Sequence, residues 1–300
     1  MSTSNTTKTP SAITQRLPEL DATEGKHRFR EFELDGKVFV VTGGAQGLGL
    51  GLAEALVEAG GHVYCLDVQN EPSQTFCDAQ KSLAKCYDGT LHYRQVDVQE
   101  AEQLDLVISA IAEKHSRIDG LVAAAAIQRV EPALTYPPKE LRRMMDINFG
   151  GVYYSAVACA KQMIKYKISG SMMFVGSMSG RNANKGLTSS VYNPSKSAVE
   201  GLGRSLAMEG SELTFFQWGQ IIDGKPIRVN VLCPGNIMTP MVENNIANDP
   251  SLKKTWEEAN MLGRLSEIKE YRGAALFLLS DASSFMTGAA LLIDGGYTAW

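Results

Sequence analysis

Several absences narrow the class of this chain before any motif is read. No apolar run approaches the ~18 to 20 residues needed to cross a bilayer, and the N-terminus has no apolar segment of the secretory kind. Neither a membrane span nor secretion is therefore expected. Basic clusters are missing as well: the formal net charge is -4 and no Lys/Arg run stands out, so nothing would draw phosphate backbones or anionic lipid broadly to the surface. Nucleic acid is not an expected partner. Cysteine is scarce and unpatterned. Its five positions, Cys65, Cys77, Cys86, Cys159 and Cys233, are odd in number and show neither Cys-x-x-Cys nor Cys/His ligand spacing. That pattern suggests no disulfide framework and no metal site, and points to free thiols in a reducing compartment, the cytoplasm.

What is present is the composition of a soluble globular protein with a sizeable core: 300 residues, 44% apolar and 21% charged. Residues 1 to 35 are polar and without sustained periodicity, which predicts a flexible N-terminal arm. Its start is Ser/Thr-rich with Lys8, Arg16 and no acid before Glu19, as in organelle transit peptides, but an amphipathic arginine pattern is missing. From residue 36 to 300 a single dinucleotide-binding catalytic domain is expected. Apolar, β-branched runs alternate there with helical patterns: Val38–Thr42, a helix from about Leu48 to Ala59, His62–Leu66, then Leu91–Val96, Leu121–Ala124, Met172–Gly176, Val229–Leu232 and Ala290–Ile293. Continuous apolar strands are buried on both faces, and strand–helix alternation implies right-handed crossovers. The predicted fold is α/β, a doubly wound parallel sheet of the Rossmann-like kind in one domain, with no internal repeat.

Chemistry enters at the first strand–helix turn. In Thr42-Gly43-Gly44-Ala45-Gln46-Gly47-Leu48-Gly49 the glycines at 43, 47 and 49 let backbone N–H groups approach a dinucleotide pyrophosphate at a helix N-terminus. A glycine pattern alone is also an ordinary turn. The second strand adds context, because it ends at Cys65-Leu66-Asp67 and so puts a carboxylate where the adenosine ribose hydroxyls should lie.

Hydride transfer to a ketone leaves negative charge on its oxygen, so a proton donor and a polarising group are needed. Tyr192 and Lys196 are four residues apart and share one face if the segment is helical, with Pro194 tolerated in the first turn. A neighbouring ammonium favours the phenolate and should lower the hydroxyl from its ordinary value near ~10. Such pairs are also common on helix surfaces. Upstream, the strand Met172–Gly176 runs into Ser177-Met178-Ser179-Gly180, and strand C-termini are where open α/β sheets collect their sites.

With these residues the chain resembles the short-chain dehydrogenase/reductase family from about Leu34 to the C-terminus. The resemblance is carried by the Thr-Gly-rich turn, the Ser … Tyr-x-x-x-Lys triplet, Asn148 in Asp146-Ile147-Asn148, Ile227-Arg228-Val229-Asn230 running into Pro234-Gly235, and Asp294-Gly295-Gly296. It implies that Ser177 polarises the carbonyl and Tyr192 is the acid/base. Lys196 would lower the phenol's pKa and hold the nicotinamide ribose, and Asn148 would support a water in the proton relay. It further implies that Gly43, Gln46, Gly47, Leu48, Gly49, Asp67, Tyr192, Lys196, Pro234 and Gly235 bind the cofactor. Asp97 and Val98 would flank the adenine, and Ile237 and Thr239 would touch the carboxamide and phosphates. NAD is expected over NADP, because Asp67 would repel a 2′-phosphate and Gln46 is neutral where NADP-preferring relatives often carry a basic residue.

Three departures qualify the resemblance. Ala123-Ala124-Ala125-Ala126 stands where the family usually has Asn-Asn-Ala-Gly, so another polar group must satisfy that backbone. The loop from Ser177 to Tyr192 is longer than usual and contains Ser179, and 210–226 is an extended segment with Phe215, Phe216 and Trp218. No arginine pair or basic patch suggests phosphorylated or carrier-bound substrates. The texture is similar to fungal polyol dehydrogenases and ketose reductases acting on arabinitol, mannitol, xylulose and sorbose, which implies a small polyol or ketone substrate. Gln128 and Met178 through Asn182 are candidate pocket residues. Two alternatives stand beside this reading: the same chemistry on a bulkier hydrophobic ketone, and a non-catalytic nucleotide-binding regulator. A homotetramer or homodimer is the assembly the resemblance implies.

Overall fold

The computed structural model describes residues 29–209 and 226–300. Among these residues seven strands, β1 (Val38–Thr42), β2 (His62–Asp67), β3 (Thr90–Gln95), β4 (Gly120–Ala123), β5 (Ser171–Val175), β6 (Arg228–Pro234) and β7 (Ala290–Ile293), form one sheet. Every pairing is parallel and the order is β3-β2-β1-β4-β5-β6-β7. Residues of β1, β4, β5 and β6 are all buried, which is why these strands read as unbroken apolar runs rather than alternating ones. The edge strands β3 and β7 are partly exposed, and β2 is buried between its two end residues.

Two apolar layers cover the sheet. On one face lie α3 (Ala101–His115), α5 (Gly151–Lys165) and α6 (Tyr192–Glu209), through Leu104, Ile108, Val152, Met163, Val199 and Leu206. The other face is covered by α1 (Gly47–Glu58), α2 (Gln74–Cys86) and α9 (Arg272–Leu279), through Leu52, Leu56, Phe76 and Leu278. A third cluster gathers Met178, Leu252, Trp256 and Tyr297 beneath α8 (Ser251–Ala259), next to α7 (Pro240–Asn248). The helix α4 (Pro138–Met145) runs into α5 through a π-turn at Asp146–Gly150.

Strand order reverses between β1 and β4, and the crevice outside the strand C-termini there is where open α/β sheets bind ligands. Leu34, assigned to the arm in the sequence reading, is fully buried, and its N–H donates to the Ala59 carbonyl at 2.8 Å, so packed chain begins before residue 36. Residues 1–28 of the arm, and 210–225 with their aromatics, lie outside the described residues. Among the described residues, no helix is long and apolar enough to cross a membrane. All five cysteines are free, with Cys65, Cys159 and Cys233 buried.

Candidate active site

A cavity of about 400 Å³ opens at the strand C-termini, a size suited to small-molecule ligands. Its floor is the turn from β1 into α1. Gly43 has φ +65°, and a Cβ there would stand 2.7 Å from the Ala125 Cα; a Cβ at Gly49 would stand 2.1 Å from the Gly43 carbonyl oxygen. Only glycine lets the turn close this tightly against the β4 loop. Gln46, the N-cap of α1, makes no side-chain capping bond. The first-turn N–H groups thus lack a partner from within the helix, and Gly47, Leu48 and Gly49 line the cavity. Uncapped donors at a helix N-terminus suit a pyrophosphate, so the residues fit a dinucleotide.

Asp67 lines the cavity at the end of β2. Its carboxylate accepts from Ala45 N–H at 3.1 Å and from Val68 N–H at 2.8 Å, which fixes its orientation. Asp97, Val98 and Gln99 follow β3 along the wall, with the Gln99 backbone and side-chain N–H groups donating to Asp97 at 3.0 to 3.2 Å. On the opposite side Pro234, Gly235, Ile237 and Thr239 line the cavity. Gly235 sits so close to Asp294 that a Cβ would approach its Cα to 2.7 Å, which relates the Pro-Gly turn to the Asp294-Gly295-Gly296 motif.

Ser177, Tyr192 and Lys196 also line the cavity. Ser177 follows β5 after Gly176, and its Oγ accepts the Ser179 N–H at 3.1 Å. Ser179 is buried, and Ser177 is the serine of this turn that reaches the cavity. Tyr192 opens α6, where Pro194 falls in the first turn and costs no hydrogen bond. The lowering of the Tyr192 phenol expected from Lys196 is not found. Lys196 Nζ donates to the Val175 carbonyl at 2.8 Å and stands 5.8 Å from the centroid of the Tyr192 ring. Although the ring keeps some exposure to the cavity, its hydroxyl lies deep. Burial pushes the phenol up to about 12, against a hydrogen bond with Ser177 that pulls it down. Burial also brings Lys196 down to about 8.

Asn148 is fully buried in the π-turn, a helix irregularity frequent at functional sites. Its Oδ1 accepts the Ile127 N–H at 2.8 Å, while Nδ2 donates to the Ile127 carbonyl at 3.0 Å and to Ser195 Oγ at 3.1 Å. Ser195 Oγ in turn donates to the Tyr192 carbonyl at 2.7 Å. The alanine-rich stretch after β4 is satisfied by Thr42, whose carbonyl accepts Ala124 N–H at 3.1 Å and whose hydroxyl accepts Ala125 N–H at 3.5 Å. Of the candidate pocket residues, Met178 packs in the third cluster, and Gln128 accepts from Asn245 at 2.8 Å. Sequence reasoning missed Ser195, Arg143, Met241 and Val242, the last three of which line the cavity. For Ser195 a signal existed, since three residues after Tyr192 it shares the tyrosine's helix face.

Residues 43–298 match the family model described as enoyl-(acyl carrier protein) reductase. A short-chain dehydrogenase/reductase, notP', of Aspergillus versicolor is 38% identical over 270 residues, covering 90% of this chain and 89% of its own. D-arabinitol 2-dehydrogenase [ribulose-forming] of Candida albicans is 34% identical over 279 residues, covering 90% and 95%. Among solved structures, the NADPH-dependent 3-quinuclidinone reductase of Rhodotorula rubra superimposes with a TM-score of 0.79 at 31% identity, covering 97% of this chain and 100% of that one. Given this match across nearly the whole chain and the serine, tyrosine and lysine gathered at one cavity, the protein belongs to the short-chain dehydrogenase/reductase family.

Proposed function

We propose that this enzyme interconverts a sugar alcohol and its ketose, using NAD(H) in preference to NADP(H). The observation that carries the proposal is the cavity itself, with Ser177, Tyr192 and Lys196 at one end and Asp67 at the other. A nicotinamide dinucleotide held along this cavity would supply or accept the hydride. Gly47, Leu48 and Gly49 hold the pyrophosphate, Asp67 takes the adenosine ribose hydroxyls, and Asp97 and Val98 flank the adenine. Ser177 donates to the substrate oxygen. Tyr192 gives that oxygen its proton in reduction and removes it in oxidation. Lys196, with a value near 8, carries its charge at neutral pH. That ammonium holds the nicotinamide ribose, and a phenolate forming at Tyr192 gains from it. Asn148 keeps Ile127 and Ser195 in register beside the tyrosine.

The carbohydrate substrate is supported by the arabinitol dehydrogenase among the relatives and by Arg143 being the single arginine among the described residues that line the cavity. The cofactor reading rests on Asp67 and the neutral Gln46, and stands against the NADPH dependence of the Rhodotorula enzyme. Apolar walls at Ile127, Met241 and Val242 favour the second reading, a bulkier hydrophobic ketone. A homodimer or homotetramer would cover Leu106 on α3 and Tyr153 on α5, which are 71% and 42% exposed. Sedimentation of a monomer at micromolar concentration would remove that part.

Nicotinamide absorbance with pentitols, hexitols, ketoses and hydrophobic ketones, each with NAD(H) and NADP(H), tests the whole. Turnover of polyols and ketoses with NAD(H) is expected. Turnover confined to hydrophobic ketones would replace the substrate class, and none with any compound would favour a non-catalytic nucleotide binder.

A further inference from the structure

One wall of the cavity is α7, whose first turn contributes Pro240, Met241 and Val242. A helix packed on a protein normally buries an apolar stripe. The buried residue of α7 is instead Asn245, 8% exposed and one turn beyond Met241. Its Nδ2 donates to Gln128 Oε1 at 2.8 Å, across 117 residues of sequence. Gln128 directly follows Ile127, whose N–H and carbonyl are both held by Asn148, and Asn148 leads through Ser195 to the first turn of α6. A continuous path of hydrogen bonds and one peptide link thus joins the α7 wall to the segment carrying Tyr192.

Apolar contacts of α7, through Val242 and Ile246 with the third cluster, resist separation but tolerate sliding. A buried amide is different, since leaving it without a partner costs free energy and its bond is directional. We infer that Gln128 and Asn245 are a positioning pair that latches the α7 wall in register with the reacting centre, and thereby sets which substrates are held productively. This deepens the proposed reading of the site and rests on it for the identity of the reacting residues.

Four variants test the latch: Gln128→Met and Asn245→Leu, each close in volume but unable to make the bond, their double variant, and Gln128→Glu, which keeps the acceptor oxygen. With a polyol and NAD, each single apolar variant should lower kcat/KM for the polyol roughly 5- to 50-fold, the scale of one buried hydrogen bond lost. The double variant should lose no more than either single one, because only one bond is broken. Gln128→Glu should stay within about threefold of wild type, and the cofactor dissociation constant should be unchanged in all four. Melting temperatures should show the same coupling between positions 128 and 245. Additive losses, full activity in Gln128→Met, or no rescue by glutamate would overturn the latch. Should the wild type oxidise no polyol, the functional reading fails by itself, while coupling in melting temperature still decides the latch.

Discussion

At the end of β2, the Asp67 carboxylate is held by two backbone N–H groups, an arrangement that leaves its remaining lone pairs for ribose hydroxyls. A 2′-phosphate there would meet a fixed negative charge. At ~4 Å each pair of unit charges costs about 1 kcal/mol in water and about 4 at the intermediate dielectric of a protein surface. The expected preference for NAD(H) is therefore roughly two to three decades in kcat/KM, and Asp67→Ser should reduce it at least tenfold. A wild type preferring NADP(H), or an unchanged ratio in the variant, would contradict the assignment. Lys196 gives a pH prediction without substrate. Its folded value near 8 lies below its ordinary 10.5, so the unfolded chain binds more protons between these values and the lysine's contribution to stability rises with pH. Relative to Lys196→Met, the cofactor-free wild type should gain about 1 to 3 kcal/mol between pH 8 and 10.5, read by denaturant melts. A difference independent of pH would show that Lys196 is not desolvated.

At the scale of elements, the Ser177 turn and α6 must be held together for the serine and tyrosine to meet. Two contacts do this. Arg181 Nε donates to both Glu200 oxygens at 3.1 Å, and Gly180 lies so near α6 that a Cβ would approach the Lys196 carbonyl carbon to 2.9 Å. Glu200 is 10% exposed, so Arg181→Ala would strand a nearly buried carboxylate. A loss of about 1 to 3 kcal/mol in stability and a lower kcat are expected, with Arg181→Lys intermediate. Unchanged melting and kcat in Arg181→Ala would show that the clasp does not position the serine. The elements themselves were readable in the sequence because buried parallel strands are continuous apolar runs, and β1 matched residue for residue. Ends shifted by one or two residues, as at β6, which extends to Arg228 and Pro234. The π-turn at Asn148 could not be read, since nothing in Asp146-Ile147-Asn148-Phe149-Gly150 departs from helical patterning. Nor could the bonds of Asn148 with Ser195 or Gln128 with Asn245, which join side chains that only the tertiary fold brings together. The lowered phenol was misjudged for a related reason: spacing on a helix places Lys196 near Tyr192 but does not show that the fold buries the hydroxyl, or that the ammonium donates to the Val175 carbonyl.

For the whole molecule, the cofactor should act as a stabiliser as well as a reactant, because its site is assembled from turns after β1, β2, β3 and β6 that exist together only in the folded chain. At 100 times its dissociation constant, NADH adds about 2.7 kcal/mol. For a chain of this size that raises Tm by about 4 °C, and NADPH at the same concentration should do much less. Equal shifts would argue against Asp67 as the discriminating group. The central claim, however, is chemical: Tyr192 moves the proton at the substrate oxygen. Its most direct measurement is reduced-nicotinamide formation from NAD and a polyol that the wild type oxidises, by wild type and Tyr192→Phe, with cofactor affinity titrated in parallel. Loss of turnover by ~10²- to 10⁴-fold with an unchanged cofactor dissociation constant is predicted; turnover near the wild-type rate in the phenylalanine variant would contradict the account.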